Sequence, residues 1–272
     1  MRKPVGLVLT ILAAILGGAS SSYARTSETG FLNRAVTVDR VAYRYQVYVP
    51  KEWSSDTKWP VILFLHGAGE RGDDGLVQTE VGIGTALRRF SMRFPAIVVM
   101  PQCRKTRWWT EGDMQAQALA ALAQSMTEFN GDKDRVYLTG ISMGGYGTWK
   151  MASDNPTRFA AIAPVCGGIR PPAIANVPAG SAPPADAPDP YLDTAKRLAT
   201  VPVWIFHGGD DKIVPVAESR KMNEALKSVN GNVKYTEYDG VTHNSWDKAY
   251  AEAELMTWLL SQKLRTSATP NR

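Results

Sequence analysis

From Val61 onward, short continuous apolar runs alternate with longer stretches in which apolar residues recur every three or four positions. The short runs are Val61 to Leu65, Ala96 to Met100, Arg135 to Thr139, Phe159 to Val165, Val203 to Phe206 and Val233 to Tyr238. They are rich in Val, Ile, Phe and Tyr. Several lack the polar alternation of a half-exposed strand, so they read as strands covered on both faces. Asp113 to Phe129 places Ala, Leu, Met and Phe on one helical stripe, with Asp113 positioned to cap its start. Met143 to Ser153, Val216 to Val229 behind Pro215, and Ser245 to Leu264 are further helical stretches. The alternation predicts an α/β fold, a doubly wound and mostly parallel sheet with helices on both faces and right-handed crossovers. Ahead of it, Ala35 to Arg40 and Tyr43 to Val49 predict an antiparallel hairpin at the leading edge of the sheet.

Three segments fall outside this rhythm. Arg170 to Pro190 holds seven prolines in 21 residues, which rules out a long helix or a central strand. It reads as a loop insertion at 170–190, placed after a strand on the side where such sheets bind ligands and therefore able to shape or cover an entrance. Arg265 to Arg272 reads as a flexible tail. Residues 1–24 begin with Arg2 and Lys3, continue with the apolar run Val5 to Leu16 and end on Ser22, Tyr23, Ala24. That is the layout of a cleaved signal peptide, and the run is too short for a hydrocarbon layer that needs about 20 apolar residues.

Composition narrows the picture further. The apolar fraction of 44% suits a chain with a packed core. Of 31 basic residues, setting aside Arg2 and Lys3 leaves 29 against 26 acidic ones, a mature net charge of +3. So small and scattered an excess is no nucleic-acid footprint. The expectation is a secreted or periplasmic protein, 25–272, with no stable membrane anchoring after signal cleavage. In an oxidising compartment Cys103 and Cys166 invite a disulfide, yet both follow predicted strands about three places apart, roughly 14 Å. A disulfide needs Cα atoms within about 7 Å, so a bond and two buried thiols both stay open.

The chemistry is densest between Tyr137 and Trp149. Gly140, Ile141, Ser142, Met143 and Gly144 form G-x-S-x-G between a predicted strand and a predicted helix, the context in which a sharp turn lifts a serine clear of a sheet. Side chains two residues either side would collide with the neighbouring elements, which glycine avoids. The turn sets Ser142 at the positive end of the helix with the Met143 amide free to donate. Serine needs a base, and the chain has three histidines, His66, His207 and His243. His66 and His207 each end a strand before glycine, positions that serve loop geometry. His243 alone comes late enough for the chain order nucleophile, acid, histidine. The acid must sit on a loop at the same sheet edge; Asp211 is the first choice and Asp210 the second, while Asp239 closes the strand leading into the histidine loop. A second oxyanion donor is expected from the HGAG turn, Ala68 before Gly69. Trp108, Trp109 and Trp246 lie near the predicted active edge as candidate substrate-binding walls. With dispersed histidines, two cysteines and no H-E-x-x-H, no metal and no cofactor is expected.

Together, LFLHGAGERGDD, VVMPQC followed by Trp108, VYLTGISMGGYGTW, APVCGG, WIFHGGDDKIVPV and HNSWDKAY make the chain resemble an exported single-domain carboxylesterase of the α/β-hydrolase superfamily. The relatives in question are feruloyl esterases, polyhydroxybutyrate depolymerases and prolyl-oligopeptidase-like hydrolases, and the resemblance covers about Val61 to Leu260. It implies an α/β-hydrolase catalytic domain in which Ser142, Asp211 and His243 form a triad, the acid falling at the fifth position of H-G-x-x-D-x-x-V-P. It also implies a small-molecule or polysaccharide-linked ester as substrate, aryl or feruloyl-type esters included. The 170–190 insertion exceeds the family pattern, so pocket shape is not carried over. The competing readings are a serine peptidase and a non-catalytic binding protein on the same scaffold.

Overall fold

The computed structural model describes residues 28–170 and 189–264. The expectations for the signal peptide at 1–24, for most of the insertion and for the tail at 265–272 lie outside the described residues. The strands are β1 (Gly30–Val38), β2 (Val41–Val49), β3 (Trp59–Leu65), β4 (Ile97–Pro101), β5 (Gly131–Ile141), β6 (Ala161–Val165), β7 (Val203–Gly208) and β8 (Val233–Tyr238). The helices are α1 (Ile83–Phe90), α2 (Gly112–Glu128), α3 (Met143–Asp154), α4 (Pro190–Arg197), α5 (Ala217–Ser228), α6 (Trp246–Ala251) and α7 (Ala253–Ser261).

All eight strands join one sheet in the order β1-β2-β4-β3-β5-β6-β7-β8. β2 pairs antiparallel with both β1 and β4, and the remaining neighbours are parallel. The hairpin turns through Asp39 and Arg40, both at positive φ (48° and 67°), the hand that matches the strand twist. Residues along each strand alternate between two cores. Val61, Leu63 and Leu65 of β3 face the core shared with α2, α3, α4 and α5, while Ile62 and Phe64 face the core shared with α1, α6 and α7. Burial on both faces is why these strands are written as unbroken apolar runs.

The order places a switch point at the centre. From β3 the chain moves outward to β4, and from β5 it moves the other way to β6, β7 and β8. Leu65 pairs with Gly140, so β3 and β5 end level and their following turns face one crevice.

Three expectations need correction. The last helix is broken: Glu252, with ψ 123°, separates α6 from α7, and the Arg93 guanidinium donates to the carbonyls of Ala251 (3.0 Å) and Glu252 (2.8 Å). Asp113 lies inside the first turn of α2, whose N-cap is Glu111. Pro190 opens a helix, α4, capped by Asp189, which accepts from the N–H groups of Tyr191 and Leu192. The open question of the cysteines is decided as well, since Cys103 and Cys166 are both free and buried. Burial pushes both thiols up, Cys166 to about 12. Among the described residues no helix is long and apolar enough to cross a membrane.

Candidate active site

Ser142 stands where β5 turns into α3. Its backbone takes φ 51° and ψ −116°, a region that costs a non-glycine residue about 1–3 kcal/mol and persists only when surroundings enforce it. Here the Ser142 N–H donates to Val165 O at 3.0 Å, while its carbonyl accepts from Tyr146 N–H at 3.1 Å. A Cβ on Gly144 would lie 1.9 Å from Leu65 O, so only glycine lets α3 begin this close to β3. Met143 is the first residue of α3, and its N–H is one of those at a helix start that find no carbonyl within the helix.

Beside it, the turn after β3 is held by His66, which is fully buried. The Cys103 N–H donates to His66 Nε2 at 2.9 Å; that nitrogen is therefore the acceptor, and Nδ1 carries the hydrogen it donates to Gly67 O at 2.6 Å. Burial lowers the His66 pKa to about 4, so the ring is neutral. Ala68 opens a single 3-10 turn, and Arg71 Nε donates to its carbonyl at 3.0 Å, which fixes the peptide. Gly69 is exposed.

Asp211 and His243 come from the turns after β7 and β8. These turns are sewn together by hydrogen bonds from Gly209 N–H to Tyr238 O and from Asp210 N–H to Val241 O, both 2.9 Å. Gly208 makes the approach possible, because a Cβ there would sit 2.3 Å from the carbonyls of Val241 and Thr242. As a result His243 Nδ1 lies 2.7 Å from Asp211 Oδ2 and His243 Nε2 lies 2.9 Å from Ser142 Oγ. Asp211 is buried, and its Oδ1 accepts from the N–H groups of Ile213 (2.8 Å) and Val214 (2.9 Å). Burial alone raises this carboxyl, but hydrogen bonds from His207, His243 and Val214 outweigh it and hold the group well below the usual carboxylate range. Asp210 is exposed and Asp239 is exposed; neither touches His243.

The tryptophans divide. Trp246 packs edge-on to the His243 ring at 5.5 Å, and Trp108 edge-on to Tyr146 at 6.1 Å. Trp109 does not line the site. It is fully buried, donates its Nε1–H to His66 O at 3.0 Å and packs against Gly147, so it supports the turn after β3 from below. Among the described residues no three His, Cys, Asp or Glu side chains converge as a metal site.

The family model described as putative esterase matches residues 40–255. The chain belongs to this esterase family. A thermostable esterase of known structure is 32% identical with a TM-score of 0.71, and the match covers 86% of this chain and 63% of that one. An uncharacterized secreted protein of Arthroderma benhamiae is 26% identical over 243 residues, 78% of this chain. A bifunctional acetylxylan esterase/xylanase of Neocallimastix patriciarum is 27% identical over 171 residues, 62% of this chain. The match spans 25% and 21% of the length of those two proteins. The fold is that of the α/β-hydrolases.

One residue of this esterase-family site escaped sequence reading. His207 also approaches Asp211, with Nε2 3.2 Å from Oδ2, the oxygen that faces His243. The only sequence signal is the four-residue spacing in HGGDD, where the histidine looks like part of a turn.

Proposed function

We propose that this chain is a carboxylesterase that hydrolyses esters through an acyl-enzyme. The observation that carries the reading is the unbroken sequence of contacts from Ser142 Oγ through His243 to Asp211, at 2.9 and 2.7 Å. Ser142 Oγ attacks the ester carbonyl carbon while its proton passes to His243 Nε2. Asp211 accepts from Nδ1–H, which orients the ring and stabilises its cation. The N–H groups of Met143 and Ala68 donate to the carbonyl oxygen as negative charge develops on it, and losing one such donor costs about 3 kcal/mol of transition-state stabilisation. The tetrahedral adduct collapses, the alcohol leaves with the proton from His243, and water attacks the acyl-serine by the same route to release the acid.

Trp246, edge-on to His243, and Trp108, edge-on to Tyr146, are our candidate walls for a flat acyl or aryl group, feruloyl-type esters included. The acetylxylan esterase activity in the name of the Neocallimastix relative supports a polysaccharide-linked ester as one substrate class. The N-terminal pattern of residues 1–24 supports export to the periplasm or medium.

The test pairs a fluorophosphonate probe with a substrate panel. The expected result is an adduct on Ser142, none in Ser142→Ala, and faster turnover of p-nitrophenyl esters and methyl ferulate than of peptide anilides. An unlabelled folded protein, or faster anilide cleavage, overturns the reading.

A further inference from the structure

Asp211 is engaged from two sides, and only one of them leads to Ser142. His207, at the end of β7, is fully buried. Its Nε2 lies 3.2 Å from Asp211 Oδ2 and 3.0 Å from Val214 O. Both are acceptors, so Nε2 carries a hydrogen. Its Nδ1 lies 2.6 Å from the Oγ of Ser219, a buried residue in the first turn of α5. In the neutral ring Nδ1 then accepts the Ser219 hydroxyl hydrogen, and Ser219 selects the tautomer whose Nε2–H is donated to Val214 O beside the carboxylate. Ser219, His207 and Asp211 thus make a second serine–histidine–aspartate chain, which meets the first on the same oxygen. Ser219 and His207 are sealed from solvent, so this chain cannot meet a substrate.

We infer that His207, held by Ser219, is a positioning residue that limits how strongly Asp211 binds the charged ring of His243. The inference rests on the reading of Ser142, His243 and Asp211 given above. Oδ1 is already committed to two backbone N–H groups, so the orientation of the carboxylate is set without His207. What His207 adds is the positive end of its Nε2–H, which is donated to Val214 O at 3.0 Å while the nitrogen stands 3.2 Å from Oδ2, so that the negative charge on Oδ2 faces two rings. The distances rank the two, 2.7 Å to His243 against 3.2 Å to His207, so His243 dominates and His207 adjusts.

The other titratable groups around this cluster are Glu237 on β8, Glu218 on α5, Tyr146 on α3 and Cys166 after β6. Glu237 pairs with His207 across the strands and is held at about 2 by its hydrogen bonds from Arg220. Burial pushes Tyr146 and Cys166 up, so both stay neutral near physiological pH. Glu218 accepts from Tyr191 OH and from the N–H groups of Ile169 and Arg170.

Removing the His207 N–H returns charge to the His243 side of Asp211. The acid limb of kcat/KM then moves to higher pH, whereas a loss of packing alone lowers the rate at every pH and leaves the limb in place. The experiment measures kcat/KM for p-nitrophenyl acetate between about pH 5 and 9. The limb is expected to rise by about half a pH unit in His207→Leu and to stay within ~0.2 unit of wild type in His207→Gln, whose amide keeps a donor. A limb that is unmoved or falls in His207→Leu, or one that moves as far in His207→Gln, overturns the inference. Should His207→Leu fail to fold, imidazole nitrogen spectra of the wild-type enzyme decide: His207 must carry a hydrogen on Nε2, and a ring protonated on Nδ1 alone overturns the inference. Failure of the triad reading looks different, because wild-type protein would then take no fluorophosphonate at Ser142.

Discussion

Asp210 and Asp211 are adjacent, carry the same carboxylate and sit on the same turn, yet their surroundings separate them. Asp211 points inward to two histidines and two backbone N–H groups, while Asp210 is exposed and contributes only its backbone N–H to Val241 O. Replacing Asp211 with Asn removes the anion that stabilises the His243 cation and puts an amide against its Nδ1. A fall in kcat of about 10⁴ is expected, as for aspartate-to-asparagine changes in comparable triads. Asp210→Asn should leave kcat within about twofold of wild type, in keeping with an exposed substitution. Steady-state kinetics on the two variants separates the choices that spacing alone left open, and equal losses would remove Asp211 from its role. Trp109 shows the opposite relation between neighbours. It shares an aromatic pair with Trp108 in sequence, but its ring is spent on His66 O while Trp108 packs on Tyr146, and nothing in the dipeptide marks which of the two takes which partner.

At the level of elements, the turn between β5 and α3 is the tightest joint in the site. A methyl group at Gly144 would have to displace the Leu65 and His66 carbonyls, which are backbone atoms at the end of β3, just ahead of the proposed second oxyanion donor. Gly144→Ala is therefore expected to lose stability by about 2–4 kcal/mol and most of its activity, read by denaturant unfolding and ester turnover. A fully active, equally stable variant would mean that α3 can start further from β3. This joint was legible in the sequence because the collision is local, between residues four apart and a neighbouring strand. The break between α6 and α7 was not. The run Ser245 to Leu264 has helical spacing and neither Gly nor Pro at the break. The carbonyls released there are taken by Arg93, which is 158 residues away from Ala251 in the chain. The break lets Ala249 and Tyr250 as well as Leu255, Met256 and Leu259 reach the same core.

For the whole molecule, acid sensitivity follows from a histidine outside the proposed chemistry. His66 titrates near 6.5 when unfolded and at about 4 when folded, so between these values the unfolded chain binds the extra proton. Stability is full above pH 6.5, falls as pH drops toward 4, and loses about 3 kcal/mol from this group in all. His66→Gln keeps an acceptor for the Cys103 N–H and does not titrate, so its unfolding free energy should change far less between pH 7 and 4.5. Parallel pH dependence in the two proteins would exclude His66 as the cause. Asp211 acts in a separate window: its depressed pKa gives stability that is present above the ordinary carboxylate range and is lost only at lower pH. The sequence by itself determined the alternation of strands and helices, the doubly wound sheet and the serine turn, because burial on two faces and local steric collision are written into neighbouring residues. It also ordered Ser142, Asp211 and His243 along the chain. Only the tertiary structure decided that Asp211 rather than Asp210 meets His243, that Trp109 lies beneath the site, and that His207 joins it. The first depends on how the turns after β7 and β8 approach one another, the second on how the segment after β4 packs under the turn after β3, and the third on how the turn after β7 folds back on its strand, distances that no local pattern encodes.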